Sequence, residues 1–305
     1  MSSVTILLCT HNGARFLQAQ LESIAAQTLT DWALWISDDG STDGTLEILK
    51  DFREAHPDRE IRLLSGAGRG AAANYLALLC HPDLGPRRIA FCDQDDVWLP
   101  EKLARAVASL RNHGDDTPAC YAAGSTVTDA DLTPIGRLHT NGTTPSLHNA
   151  LVQNVLHGST IVLTPAAHAL LRQAGPVSVP FHDWWCYLAL SACDIPIVLE
   201  DDPVLLYRQH GDNHIGYNKG TGAGRKRYRL IAEGIYRGWL TQNAEALLQA
   251  DLPATPEARS LCHDYLALQE RPGVARMVGY RRLGLCRQSR RATLMLRAFA
   301  GLGYV

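Results

Sequence analysis

Four times in its first 110 residues this chain passes from a short apolar run through a polar turn into helically spaced apolar side chains. The runs are Val4 to Cys9, Trp32 to Ser37, Ile61 to Leu64 and Ile89 to Cys92. Each is short and continuously apolar, the pattern of a strand buried on both faces. The helical patterns carry Phe16, Leu17, Leu21 and Ile24; then Leu46, Ile48, Leu49 and Phe52; then Ala71 to Cys80; then Pro100 to Leu110. Repeated strand–loop–helix units predict an α/β fold, a doubly wound and mostly parallel sheet with flanking helices. The polar clusters all fall where a strand ends, so they share one rim, the edge at which open α/β sheets bind ligands.

The densest cluster follows the fourth run, in Asp93-Gln94-Asp95-Asp96. Three carboxylates this close repel unless protons or a cation offset them, and a hard divalent ion with oxygen ligands is the usual cation. The plain alternative is a solvated acidic turn. Pro100 suits the first turn of the helix that follows, where its missing N–H costs nothing.

Composition sets the outer bounds. With 305 residues, 46% hydrophobic and 20% charged, the chain is globular and long enough for a large core. A net charge of −2 argues against a nucleic-acid partner. Eight cysteines without a C-x-x-C pair read as a reduced, cytoplasmic inventory, with Cys9 and Cys92 inside buried strands. Met1-Ser2-Ser3 runs straight into a strand, so no signal peptide is expected. No uncharged run approaches the roughly 20 apolar residues of a membrane span.

Past residue 118 the pattern loosens. Ala119 to Val127, Thr160 to Leu163 and Val204 to Tyr207 read as strands, and Thr133 to Ser146 as a turn-rich excursion. His157-Gly158-Ser159 precedes the second of these strands. A helix containing Leu170 and Leu171 stops at Gly175-Pro176, and an apolar helix from Phe181-His182-Asp183-Trp184-Trp185 runs to Cys193. Arg208-Gln209-His210 follow the last strand, then a glycine-rich segment with Gly216, Gly220, Gly222 and Gly224, then helix to the end. That segment is either a mobile loop that could close over a ligand at the rim or a plain linker between the sheet and the helices.

Gly66, Gly68 and Ala71 also fit the dinucleotide fingerprint G-x-G-x-x-G/A, with Asp93 further on. The fingerprint sits on the third unit instead of the first, and bare carboxylates along its rim would repel a pyrophosphate. Carboxylates that hold a metal would instead attract one.

Taken in order, Thr10-His11-Asn12-Gly13, Asp38-Asp39-Gly40-Ser41-Thr42-Asp43, Asp93-Gln94-Asp95-Asp96, His182-Asp183-Trp184-Trp185 and Tyr207-Arg208-Gln209-His210 resemble the family 2 glycosyltransferases of GT-A fold, and most of all their bacterial rhamnosyltransferase-like branch. The resemblance covers residues 4 to 216. It implies a catalytic domain over 1–216, with a nucleotide-binding half at 1–110 and an acceptor-binding half at 111–216, followed by a glycine-rich loop and helical region at 217–305. It assigns Thr10, His11, Asn12, Asp39, Asn74, Asp93, Gln94 and Arg208 to the nucleotide-sugar donor. Asp39 would accept the N3–H of uracil or thymine, which suits an acceptor-only carboxylate. Asp95 and His210 would hold Mg2+ or Mn2+, with Asp93 on the ribose or on the metal through water, and Arg208 a phosphate donor.

Asp183 takes the place of the family's base, which removes the acceptor hydroxyl proton in an inverting transfer. A free aspartate, with a pKa near ~3.9, is weak for that task unless its surroundings raise it. Trp184 and Trp185 would supply such surroundings, one stacking on an acceptor sugar and the other packing in the core. His182 departs from the family, where glutamate is common. Each role has a plain counterpart: Asp39 a turn-former beside Gly40, Asp43 a helix N-cap, Asp96 a helix cap or a support for the metal ligands, Asn74 a solvent-facing helix residue.

The last third is basic, opening on Arg225, Lys226, Arg227 and Arg229 and punctuated by Arg276, Arg281, Arg282, Arg287, Arg290, Arg291 and Arg297. Either a basic amphipathic helix attaches the chain peripherally at the inner face of the cytoplasmic membrane, or these helices form a subdomain or a homo-oligomer contact. The expected partners are a dTDP or UDP sugar and a saccharide or lipid-linked saccharide acceptor. The expected reaction is hexosyl transfer, rhamnose from dTDP-rhamnose foremost, with a UDP-hexose donor or a scaffold without turnover as alternatives.

Overall fold

A computed structural model describes residues 3–140, 144–210 and 229–305. The four apolar runs are strands β1 (Val4–Thr10), β2 (Trp32–Asp38), β3 (Ile61–Ser65) and β4 (Ile89–Cys92). Helices α1 (Ala14–Ala25), α2 (Thr45–Ala55) and α3 (Ala71–Leu79) follow the first three strands, and α4 (Lys102–Ser109) follows the fourth. Pro100 lies ahead of α4 instead of inside its first turn, because Val97–Trp98 pairs with a late strand as β5 before the helix begins.

The second half holds β6 (Cys120–Thr128), β7 (Pro134–Leu138), α5 (Leu147–Ala150), β8 (Val162–Leu163), α6 (Pro165–Ala174), α7 (His182–Ala192) and β9 (Ile197–Arg208). Three expectations are corrected here. The excursion from Thr133 contains β7, which pairs antiparallel with β6. Gly158–Thr160 is a 3-10 turn that shortens β8. β9 starts seven residues before Val204, its register following β6 from Cys120↔Ile197. Helices α8 (Ile235–Gln249), α9 (Pro256–Gln269), α10 (Gly273–Arg282) and α11 (Arg290–Gly301) complete the chain. The glycine-rich segment 216–224 and the basic residues 225–227 lie outside the described residues.

The nine strands make one sheet in the order β3-β2-β1-β4-β8-β6-β9-β5, with β7 on β6. β1 pairs parallel with both β2 and β4, and β2 with β3. β8 runs antiparallel to both β4 and β6, so β6 points the same way as β4, and β9 is parallel to β6. The C-terminal ends of β1, β2, β3, β4, β6 and β9 therefore meet on one rim.

Both faces of the sheet are covered, which is why β1 and β2 are buried along their whole length. On one face Ile6, Leu8, Leu34 and Ile36 pack against Leu17 and Leu21 of α1, Leu49 of α2 and Leu103 of α4. On the other, Leu7, Trp35 and Phe91 join Tyr75 and Leu79 of α3 and Trp185 and Leu188 of α7. Leu240, Tyr265, Tyr280 and Leu296 extend this second core into the C-terminal helices. Each such side chain contributes roughly 1.5–3 kcal/mol on burial. Local chemistry fixes the helix starts: Thr164 and Thr255 cap α6 and α9 through Ala167 N and Ala258 N, each ahead of a proline.

Candidate functional site

The rim begins with two loops tied to each other. Thr10, at the end of β1, is buried, and its hydroxyl donates to Asp38 Oδ2 at 2.7 Å. Asp38 also accepts from Ser41 N (2.8 Å) and Ser41 Oγ (2.6 Å), so it, not Asp39, forms the turn. Asn12 takes a left-handed conformation (φ 48), which asparagine tolerates, and its Oδ1 accepts from Thr42 N at 2.8 Å. Asp43 is not the N-cap of α2, a place held by Gly44; its carboxylate takes the N–H groups of Ala14 and Thr45 and so joins the starts of α1 and α2.

Gln94 clasps the peptide of His11 across the rim. Its Oε1 accepts from His11 N at 2.9 Å and its Nε2 donates to His11 O at 3.0 Å. A Cβ on Gly13 would lie 2.2 Å from that Oε1, so glycine is required there by space. The His11 ring is exposed, with Nδ1 3.2 Å from Asp39 O.

Asp39 holds the glycine loop. Its Oδ1 accepts from Gly68 N (2.7 Å) and its Oδ2 from Gly70 N (2.8 Å), leaving a second lone pair on each oxygen. The N–H groups a dinucleotide pyrophosphate would need are thus already taken by a carboxylate. Asn74 is 3% exposed, which overturns the solvent-facing alternative. Its amide is spent on Ser37, donating to the carbonyl at 2.8 Å and accepting from the hydroxyl at 2.5 Å. It steadies the strand beneath Asp39 and lines the rim only through that contact.

Below these loops the acidic cluster divides into two kinds of site. Asp95 Oδ2 lies 2.7 Å from His210 Nε2, with both side chains partly open to solvent. Asp93 faces inward, accepting from Tyr75 OH at 2.8 Å and from Ser159 Oγ. Asp96 is fully buried, and its Oδ1 accepts from Arg208 N at 3.2 Å, so the helix-cap alternative fails. The single Ser159 proton goes to Asp93, leaving Asp96 Oδ2 without a donor among the described residues. Burial, then repulsion from Asp95 and Asp93, pushes the Asp96 carboxyl well above the usual range.

Arg208 is corrected from phosphate donor to internal brace. It is buried against the Phe16 ring, and its guanidinium donates to the carbonyls of Asp95 (2.9 Å) and Ala130. Two residues without an assigned role join the cluster. His157 lies with Asp93 and Asp96 in a group whose ligand atoms are within 4.8 Å of one another, a second oxygen/nitrogen set that could hold a cation. Its Nδ1 is 2.6 Å from Ser125 Oγ, and burial lowers its pKa to about 4. Lys102 is fully buried, its ammonium 3.6 Å from the Trp98 ring centre, and burial lowers its pKa to about 7. The visible signal for His157 is the polar triplet His157-Gly158-Ser159 ahead of a strand; Lys102 reads as an ordinary helix lysine.

Asp183 stands in the first turn of α7, half-buried, with Oδ1 2.7 Å from Trp184 N. Burial raises its pKa, with His182 and the Trp184 N–H opposing. The 3-10 turn links it to the acidic cluster: a Cβ on Gly158 would lie 3.4 Å from Asp183 Oδ2, and the next residue, Ser159, donates to Asp93. His182 stacks on Tyr75 at 3.9 Å and its Nε2 has no partner among the described residues. Neither tryptophan offers a face to a sugar: Trp184 is 4% and Trp185 0% exposed. Trp184 donates to Ala150 O at 2.6 Å and packs on Phe181 and Tyr236. Both belong to the core because α7 is covered on every side, by the sheet and by the C-terminal helices.

An acidic rim of this kind on a mostly parallel sheet is the architecture of the GT-A glycosyltransferases. The fold is similar to that of S. aureus TarS solved in complex with UDP-GlcNAc (TM-score 0.56, 15% identity, 99% of this chain and 91% of that one). It is also similar to the mannosyltransferase PcManGT from Pyrobaculum calidifontis in complex with GDP-Man and Mn2+ (TM-score 0.54, 20% identity, 99% and 86%). Residues 5–174 match the Glycosyl transferase family 2 domain, and the chain belongs to that family. Among its relatives, the dTDP-rhamnosyl transferase RfbG of Shigella flexneri is 28% identical over 251 residues, 79% of this chain and 84% of that protein.

Proposed function

We propose that the chain is an inverting, metal-dependent hexosyltransferase that takes its sugar from a pyrimidine nucleotide diphosphate. It would deliver that sugar to a saccharide or lipid-linked saccharide during assembly of a bacterial surface polysaccharide, working in the cytoplasm or at the inner face of its membrane. The observation that carries this reading is the Asp95–His210 pair at the rim, with Asp183 linked to the neighbouring Asp93 through the Gly158–Ser159 turn. Similarity to a dTDP-rhamnosyl transferase favours dTDP-rhamnose as donor. A UDP-hexose remains the alternative, because uracil and thymine present the same N3–H to Asp39. The scaffold alternative is disfavoured by the presence of Asp95, Asp183 and His210 together.

A divalent cation fits the donor set. Asp95 supplies a hard oxygen and His210 an imidazole nitrogen, a mixture suited to Mn2+ and acceptable to Mg2+. Adjacent carboxylates, with Asp96 Oδ2 buried and without a proton donor among the described residues, make added positive charge favourable there. Asp95 and His210 would hold the cation, which would supply positive charge to stabilise the departing diphosphate.

The residues of the chain do the rest. Asp39 receives the base, the loop of His11 and Asn12 lies against the nucleotide, and Asp93 meets the ribose. Gln94, Thr10, Asn74 and Arg208 hold those groups from behind, through the His11 peptide, Asp38, Ser37 and the Asp95 carbonyl. Asp183 takes the proton of the acceptor hydroxyl as that oxygen bonds to the anomeric carbon. The bond from that carbon to the phosphate oxygen breaks on the opposite side, and its electron pair leaves with the nucleotide diphosphate. A carboxyl held above its ordinary pKa is the better base for this proton.

A thermal-shift panel of dTDP, UDP, GDP, CDP and NAD, each with Mn2+ or with EDTA, tests the donor class. Stabilisation by dTDP or UDP only with metal is expected. Stabilisation by NAD regardless of metal would overturn the reading.

A further inference from the structure

The last two helices carry an amphipathic surface that the transferase chemistry does not use. From 271 to 305 the chain has eight arginines and no acidic residue. The described residues expose eight large hydrophobic side chains, and six of them are here: Val274, Met277, Val278, Leu294, Met295 and Leu302. Their spacing is that of one face on each helix. On α10, Val274, Met277, Val278 and Arg281 follow i, i+3, i+4, i+7; on α11, Arg291, Leu294, Met295, Ala298 and Leu302 do the same and continue one turn. The opposite faces, with Tyr280 and Gly279 on α10 and Thr293, Leu296 and Ala300 on α11, are buried.

The two stripes adjoin. A Cβ on Gly273 would lie 2.0 Å from Gly301 O, and one on Gly301 would lie 3.4 Å from Met277 Cβ. The helices are thus antiparallel and close enough for Met277 to border Leu302. Val274, Leu294 and Leu302 are 72%, 65% and 68% exposed, and adjoining exposed apolar side chains mark an interaction surface where single ones would not.

Charge identifies the occupant. Arg281, Arg282, Arg290 and Arg291 are exposed along this surface and form no ion pair among the described residues. Arg290 and Arg291 sit in the first turn of α11, where the helix dipole disfavours cations, so helix stability does not account for them. Apolar side chains flanked by unpaired arginines match an anionic bilayer, with the chains dipping below the headgroups and the guanidinium groups on the phosphates. No helix of the described residues is long and apolar enough to cross a membrane. We propose that the α10–α11 hairpin lies on an anionic lipid surface, docking the chain in the plane of the membrane.

The test uses the full chain with vesicles of phosphatidylcholine alone or mixed with phosphatidylglycerol, read by co-sedimentation. The chain should sediment with the mixed vesicles only, and less as salt is raised. Leu294→Glu with Met295→Glu should weaken that binding at least tenfold, and so should Arg290→Glu with Arg291→Glu. Both pairs should leave the Tm and the Mn2+-dependent stabilisation by dTDP unchanged. A chain that binds dTDP with Mn2+ but neither vesicle overturns the membrane proposal alone. Vesicle binding without any nucleotide response supports it while sinking the donor assignment. A solution mass of a dimer that Leu294→Glu converts to a monomer, with no vesicle binding, also overturns it and gives the face to a second copy.

Discussion

His210 Nε2 lies 2.7 Å from Asp95 Oδ2 although 115 residues separate them in the chain. The pairing follows from topology. β8 reverses direction twice between β4 and β6, β9 runs parallel to β6, and the end of β9 therefore returns to the rim where β4 ends. Phe16 of α1 flanks the His210 ring at 4.8 Å, so the imidazole is placed as well as paired.

A cation held between these two groups should depend on both. Asp95→Asn and His210→Ala should each weaken Mn2+-dependent dTDP binding by at least ~10-fold, with the fold intact by circular dichroism. Isothermal titration of dTDP in Mn2+ measures this. An unchanged affinity in both variants would remove the pair from the metal site.

Asp183→Asn should leave donor binding as it is and reduce transfer by roughly 10²–10⁴-fold. The wild-type rate should fall as pH drops through the Asp183 pKa, because the base must be ionised. Burial raises that pKa, so the acid limb should lie at higher pH than the titration of a free aspartate. A pH–rate profile on the wild type and initial rates on the variant check the two halves of this statement.

Much of this site is readable from the sequence. Continuous apolar runs ending in Asp clusters place Asp39 and Asp95 on one edge, since strand direction and connection length leave few other arrangements, whereas Asp183, at the start of a helix, is reached only through the family resemblance. Both Trp184 and Trp185 pack in the core, where the sequence leads one to expect only one of them, because an aromatic pair after an Asp looks alike whether its helix is covered on one side or on all. Only the packing of α3, α5, α6 and α8 around α7 decides it. Arg208 and Asp96 escaped for a related reason, as their partners, the Asp95 carbonyl and a peptide N–H, are backbone groups that no residue pattern advertises. Lys102 and His157 are brought to the cluster by helix and turn geometry alone.

The glycine loop offers a contrast between two substitutions. A Cβ on Gly66 would lie 2.5 Å from Asp39 Oδ1 and 2.8 Å from Asn74 Oδ1, whereas one on Gly68 meets nothing within 4 Å and suffers only the positive φ of 67. Both alanine variants should lose about 1–3 kcal/mol of stability, one by overpacking and one by backbone strain. Gly66→Ala alone displaces Asp39, so it should also weaken dTDP binding about tenfold or more, while Gly68→Ala should keep most of it. Urea melts and nucleotide titrations on the pair separate the two effects.

The stability of the chain should itself depend on pH through His168. Its ring is fully buried between α3 and β4, with Nε2 2.9 Å from Leu79 O and Nδ1 accepting from Arg87 N at 3.0 Å. Nδ1 also lies 3.1 Å from Arg87 O, but the cost of burying a charged ring outweighs what that carbonyl offers an added proton and holds the pKa down to about 4. The folded value therefore lies below the unfolded one of ~6.5, so the folded state prefers the neutral ring. Its contribution is complete above about pH 6.5 and is lost as pH falls toward 4, at most about 3 kcal/mol. His168→Gln keeps a donor for Leu79 O and an acceptor for Arg87 N but cannot titrate. Urea midpoints at pH 7.5 and pH 5 should therefore converge in the variant and separate in the wild type. Equal separation in both would assign the acid sensitivity to another buried group, with His157 the next candidate.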